Sequence, residues 1–304
     1  MESMVKQKLD EVKPRVRLFG LDYDGTVYDG KEYKLSEVLL LTEKILSHDI
    51  SVAFITARAA SALKALVPPI QDLLKAKDFS ATVFIGGGNG TILYEVKKDS
   101  LVEIYNHGLS LEEINRAVTV WRETYKKYNI IEDEFNSAGI VTFQNFLAED
   151  WQNYIDAEIL NICRNYNGKI FTETAKVTFV LPSDKGRRNQ LIGDVGELLG
   201  EEYAVVAGDD KFAHITKRLA EDNKAMAIKK LLEYLELDSK QVATFGDMPM
   251  DNDAGLLSFP FSFTNSEELV KIKAKLDTPP YILADDSLPS IARVYKAIDY
   301  LISN

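Results

Sequence analysis

Two carboxylates stand two residues apart in Asp22-Tyr23-Asp24-Gly25-Thr26, directly after the apolar run Val16–Leu21. A chain that bends at Gly25 can turn both towards one point, because glycine accepts backbone conformations that other residues avoid. Gly246-Asp247-Met248-Pro249-Met250-Asp251 supplies two more carboxylates, again after a short apolar run, Val242–Phe245. Carboxylates gathered in one place repel each other and stay ionised when a hard cation compensates them. A donor set of oxygens alone, without Cys or His, suits Mg²⁺ better than zinc. The residue types therefore point to a cation-dependent site for an anionic substrate.

Such a site needs elements that bring distant segments to one edge. Val16–Leu21 and Ile50–Ile55 are apolar on both faces, as buried parallel strands are, and Thr82–Ile85 and Val242–Phe245 follow suit. Asp22, Thr56 and Asp247 end three of these strands, and the C-terminal edge of a parallel sheet is where ligands bind. Between the strands the spacing predicts a helix opened by Ser36 as N-cap, carrying Val38, Leu39, Thr42, Ile45 and Leu46, and a helix from Ala59 to Leu66 that stops at Pro68-Pro69. Gly86-Gly87-Gly88-Asn89-Gly90 is expected to be a tight turn into a second domain.

From Thr91 to about Lys211 the pattern changes. Strand-like segments (92–96, 102–105, 140–143, 177–181 and 204–206) alternate with helical ones (111–127, 151–164 and 188–199), and the strands carry more polar neighbours, as in a smaller sheet exposed on one face. Buried patterning then resumes with a helix over Lys224–Leu235, a late strand over Tyr281–Leu283 and a closing helix over Ser290–Ile302. The expected fold is α/β: a Rossmann-like, doubly wound parallel sheet built discontinuously from residues 1–92 and 212–304, with an α+β domain inserted over residues 93–211.

The Asp22–Thr26 run, the strand end at Thr56, Lys224 at a helix start and the Gly246–Asp251 loop together resemble, in order and spacing, the four signature motifs of the haloacid dehalogenase-like hydrolase superfamily. An insertion between the second and third motifs is similar to the type-2 capped, Cof-like sugar-phosphate phosphatases, and Phe84–Leu93 resembles the Asn-Gly segment of that subclass. The resemblance implies that Asp22 is a nucleophile forming an aspartyl phosphate and Asp24 the general acid and base. Thr56 and Lys224 would hold the phosphoryl oxygens. Mg²⁺ would be held by Asp22, the Asp24 carbonyl and Asp247, with Asp251 in support. Arg58 is a candidate for substrate binding or for anchoring the cap. Met250 stands where the family commonly has Asn, and Asn252-Asp253 either takes over a supporting place or opens the next helix. Thr264-Asn265-Ser266 keeps only the Asn of the usual Gly-Asn-Ala turn, which makes Asn265 a supporting candidate.

The implied activity is a Mg²⁺-dependent phosphatase acting on a small phosphorylated metabolite, foremost a sugar phosphate, with the cap closing over the substrate and setting specificity. A phosphomutase or other phosphotransferase on the same site, and a catalytically weak ligand-binding member, are the alternatives. Dehalogenation has no use for Asp24. Composition narrows the partners: 36 Lys and Arg against 47 Asp and Glu leave a net charge of −11, which argues against a nucleic-acid backbone as partner. One cysteine, Cys163, permits neither an intrachain disulfide nor a Cys-based zinc site, and His48, His107 and His214 lack paired metal-ligand spacing. With no apolar stretch resembling a signal peptide or a membrane span, a cytoplasmic location is expected. Lys185-Gly186-Arg187-Arg188 reads as a basic cap loop, and Trp121 and Trp151 as packing residues of cap helices.

Overall fold

The computed structural model describes residues 3–57, 66–127, 140–142, 177–180, 185–207, 212–219, 223–247, 253–266, 280–285 and 287–303. They fall into two units, one drawn from residues 1–57, 66–105 and 221–304 and the other mainly from 106–220.

The first unit is built on an eight-stranded sheet. Its strands are β1 (Leu18–Leu21), β2 (Ser51–Ile55), β3 (Val83–Gly87), β4 (Ile92–Val96), β5 (Leu101–Asn106), β10 (Val242–Gly246), β11 (Ser262–Thr264) and β12 (Tyr281–Ile282), in the spatial order β12-β11-β10-β1-β2-β3-β4-β5. From β12 to β3 every pairing is parallel, and β4 runs antiparallel to β3. Strands β1, β2, β3 and β10 are buried along their whole length, which their unbroken apolar runs anticipate. Helix α6 (Asn223–Tyr234) lays Ala227, Ile228 and Leu231 on one side of the sheet against Leu18, Ala53, Phe84 and Val242. A ladder of rings crosses four strands, Phe19 to Phe245 at 6.0 Å, Phe245 to Phe263 at 5.2 Å and Phe263 to Tyr281 at 5.8 Å between centroids. Helices α1 (Ser3–Val12), α2 (Leu35–Leu46), α3 (Val67–Ala76) and α7 (Ser290–Ile302) complete this unit.

The second unit has a four-stranded antiparallel sheet, β6 (Ile140–Thr142), β7 (Val177–Val180), β9 (Phe212–Lys217) and β8 (Tyr203–Ala207) in that order, with helices α4 (Leu111–Lys127) and α5 (Lys185–Leu199). Its core gathers Ile114, Ala117 and Trp121 of α4, Leu191, Val195 and Leu199 of α5, and Ala213 and Ile215 of β9. Trp121 is a packing residue, as read from the sequence; Trp151 and the helix expected over 151–164 lie outside the described residues.

Several local expectations are corrected. β4 and β5 belong to the large sheet, so the division falls after Tyr105 rather than after residue 92. β5 is its edge, with Leu101, Val102 and Glu103 exposed, and an edge strand shows the polar pattern of a separate half-exposed sheet. The return comes near residue 221 instead of 212, because Phe212–Lys217 pairs on both sides within the small sheet. The glycine run turns the chain through a 3₁₀ turn, Gly88–Gly90, back onto β3 rather than out of the sheet. Pro68 and Pro69 lie in the first turn of α3, whose N–H groups are unbonded anyway, and the helix expected from Ala59 to Leu66 lies, but for Leu66, outside the described residues. Helix α2 starts one residue before Ser36, with Lys34 as N-cap, because the Glu37 carboxylate reaches back to accept the Lys34 N–H at 3.0 Å. Lys185–Arg188 is the first turn of α5 rather than a loop.

Candidate functional site

The chain passes from β1 through β2 to β3 on one side of β1, and from β10 through β11 to β12 on the other. The order therefore reverses between β1 and β10, and beyond the C-terminal ends of such a pair the sheet leaves a crevice. Leu21 lies opposite Phe245 in register, so Asp22 and Asp247 emerge side by side there, the Asp22 N–H donating to the Phe245 carbonyl at 2.9 Å.

Lys224, on the first turn of α6, is 1% exposed and donates to Asp22 Oδ1 at 2.7 Å and to Asp253 Oδ1 at 2.5 Å. Asp253 is equally buried, and its Oδ2 accepts the Asp247 N–H at 3.0 Å. The Thr26 hydroxyl lies 3.2 Å from Asp22 Oδ2 and 3.4 Å from Asp247 Oδ1, with one proton for the two. Gly25 has φ +77°, and a Cβ there would sit 2.3 Å from Asp247 Oδ2, so only glycine fits between the two loops.

Three carboxylates, Asp22, Asp247 and Asp253, place ligand oxygens within 4.8 Å of one another, and two of them, Asp22 and Asp253, pair with the Lys224 ammonium. Burial, then repulsion from Asp253, pushes the Asp22 carboxyl well above the ordinary aspartate range, against the pull of Lys224. Burial and Asp253 likewise raise Asp247, to about 7. Burial works against the charge on Lys224, but Asp22 and Asp253 outweigh it and hold the ammonium firmly protonated. The surplus of two negative charges is what one divalent cation would neutralise, and the all-oxygen donors fit Mg²⁺. Asp253 accepts through both oxygens, from Lys224 and from the Asp247 N–H, and Asp22 accepts from Lys224 and Thr26, while each carboxylate oxygen keeps a further acceptor position.

The structure brings together most of the residues read from the sequence. Thr56 follows β2, and its hydroxyl donates to Asp24 Oδ2 at a long 3.4 Å. Its N–H is held by the Gly86 carbonyl and its carbonyl by the Asn89 N–H, both at 2.9 Å. Gly90, at φ +85°, would bring a Cβ within 2.7 Å of the Asn223 carbonyl, so the 3₁₀ turn lies directly on the residue before Lys224. Asn265 follows β11 and donates from Nδ2 to the Gly25 carbonyl at 3.1 Å. Arg58 and Asp251 lie outside the described residues, as does Met250. Asp253 and Thr26 are the residues that sequence reading did not assign to the site: Thr26 sits inside the first motif, and the Asn-Asp pair after Met250 was the available signal for Asp253.

A cleft of about 330 Å³ is lined by Gly25, Asp247, Asn265, Ser266 and the start of α7. Among the described residues no helix is long and apolar enough to cross a membrane.

A family model described as haloacid dehalogenase-like hydrolase matches residues 19–280. Among solved structures, a haloacid dehalogenase-like hydrolase from Bacteroides thetaiotaomicron is 19% identical, with 93% of this chain and 99% of that one covered at a TM-score of 0.62. A HAD/COF-like hydrolase from Plasmodium vivax is 19% identical, with coverage of 97% and 98% and a TM-score of 0.63. A HAD subclass IIB sugar phosphatase, BT4131, is 14% identical, with coverage of 93% and 100% and a TM-score of 0.59. At these identities the likeness is one of fold. No curated protein matches the sequence.

Proposed function

Since the chain belongs to the haloacid dehalogenase-like hydrolase family, we propose that it is a Mg²⁺-dependent phosphatase that hydrolyses a small phosphorylated metabolite, a sugar phosphate, through an aspartyl phosphate on Asp22. The observation that carries this reading is the cluster of Asp22, Asp247 and Asp253 at the strand-order reversal, with the buried Lys224 ammonium paired to Asp22 and Asp253. The sugar-phosphate class is supported by the fold shared with the subclass IIB sugar phosphatase.

Asp22 and Asp247 would hold Mg²⁺ together with the Asp24 carbonyl, and the cation would neutralise phosphoryl charge that these carboxylates otherwise repel. The Asp22 carboxylate attacks phosphorus while Asp24 gives its proton to the departing alkoxide, so the phosphorus–oxygen bond to the sugar breaks as the bond to Asp22 forms. Water then loses a proton to Asp24 and attacks the same phosphorus, which frees the Asp22 carboxylate and inorganic phosphate. Lys224, permanently charged and fixed by two carboxylates, faces charge that spreads over the phosphoryl oxygens, and the Thr56 hydroxyl donates to one of them. Residues 106–220 are proposed as the domain that selects the substrate.

The experiment is phosphate release from p-nitrophenyl phosphate and a panel of sugar phosphates, with Mg²⁺ and with EDTA. Turnover that needs Mg²⁺ and vanishes in Asp22→Asn supports the reading, and turnover indifferent to either change contradicts it.

A further inference from the structure

Asn265 is 3% exposed and lines the cleft that it shares with Asp247 and Gly25. Its orientation is set by one bond: Nδ2 donates to the Gly25 carbonyl at 3.1 Å, and the flipped amide would set oxygen against oxygen. Oδ1 is thereby left buried with no hydrogen-bond partner among the described residues. An unmet buried acceptor costs about 1–3 kcal/mol, which a donor supplied from the cleft would recover.

The surroundings narrow the donor. Asp247 and Asn265 both reach Gly25, the first at the position a Cβ would take and the second at the carbonyl, and both residues line the same cleft. Among the described residues no Lys or Arg lines that space. An acceptor next to an uncompensated carboxylate favours a donor with strongly polarised protons, and water on a divalent cation is such a donor. Carboxylates that bind metals are commonly backed by a second layer of hydrogen bonds of this kind.

We infer that Asn265 is a positioning residue for the cation, its Oδ1 accepting a hydrogen bond from cation-bound water while its Nδ2 holds the Gly25 loop against Asp247. This rests on the metal-dependent reading of the site given above. The inference separates the two ends of one amide: one end shapes the loop whether or not metal is present, and the other acts only when it is.

The test is calorimetric titration of the full chain with MgCl₂ in phosphate-free buffer, with the melting temperature in EDTA read alongside. Asn265→Ala removes both ends, and its Mg²⁺ affinity is expected to fall about 10–100-fold. Asn265→Asp keeps an acceptor towards the water but loses the bond to Gly25. It should melt lower than wild type in EDTA, as Asn265→Ala does, yet bind Mg²⁺ within a few-fold of wild type. Equal loss of Mg²⁺ affinity in both variants would overturn the inference, because the loop contact alone would then explain it. Unchanged affinity in Asn265→Ala with a raised KM would also overturn it, by assigning Oδ1 to a substrate hydroxyl. A wild-type chain that binds no Mg²⁺ would remove the metal reading itself, a result distinct from either.

Discussion

Asp253 and Lys224 form a buried ion pair at 2.5 Å, and through its second oxygen Asp253 also holds the backbone N–H of Asp247. One side chain thus ties the helix that carries the ammonium to the loop that carries the carboxylate opposite Asp22. Removing one partner of a buried pair leaves the other charge uncompensated, at a cost of about 3–5 kcal/mol. Asp253→Ala is expected to lose stability on that scale in urea unfolding. The exposed pair Lys44–Asp299 is the control, where Lys44→Ala should change stability by less than about 1 kcal/mol.

Gly25 has no room for a side chain. Its φ of +77° alone costs another residue about 1–2 kcal/mol, and the added methyl would meet Asp247 Oδ2 at 2.3 Å. Gly25→Ala should fold with a lowered melting temperature and bind Mg²⁺ at least about tenfold more weakly, since metal sites disturbed beyond their direct ligands lose affinity on that scale. Wild-type Mg²⁺ affinity in this variant would contradict the placement of Asp247.

The raised carboxyl of Asp247 gives the metal-free protein a defined pH dependence. Its folded value, about 7, exceeds the ordinary 3.8, so the folded state binds a proton more tightly than the unfolded chain between those limits. Stability from this group is therefore full below the lower value and is lost as pH rises through about 7. Asp22, raised for the same reasons, adds to the same trend. Melting in EDTA should fall as pH rises from 5 to 8, and Mg²⁺ should reduce that slope by stabilising the ionised carboxylates. A rising or flat metal-free profile would contradict the charge arrangement.

Trp121, wholly buried in the core formed by α4, α5 and the small sheet, should be a costly deletion in the second unit. Trp121→Ala is expected to cost about 3–5 kcal/mol, read as an earlier unfolding step in calorimetry.

Much of this was legible before any coordinates. Asp22 and Asp247 end apolar runs, and buried parallel strands bring such ends to one edge; Lys224 followed from its place in the motif order. Asp253 was not assigned because its role depends on a contact with Lys224, 29 residues away in sequence, and no local pattern encodes that distance. β4 and β5 went to the wrong sheet because edge strands and half-exposed strands share one polar pattern. Pro68-Pro69 marks a helix boundary without telling an end from a start, since proline is excluded from helix interiors yet its missing N–H suits a first turn. Arg58 and Asp251 lie outside the described residues.

The central claim is that phosphate passes through Asp22. Wild-type protein turned over with a sugar phosphate and Mg²⁺, quenched in acid and reduced with borohydride, should yield homoserine at position 22 in peptide mass spectra, since borohydride reduces an acyl phosphate to the alcohol. Asp22→Asn treated identically should yield none. Steady turnover with no reduced residue at position 22, or with the modification at another carboxylate, would contradict the account.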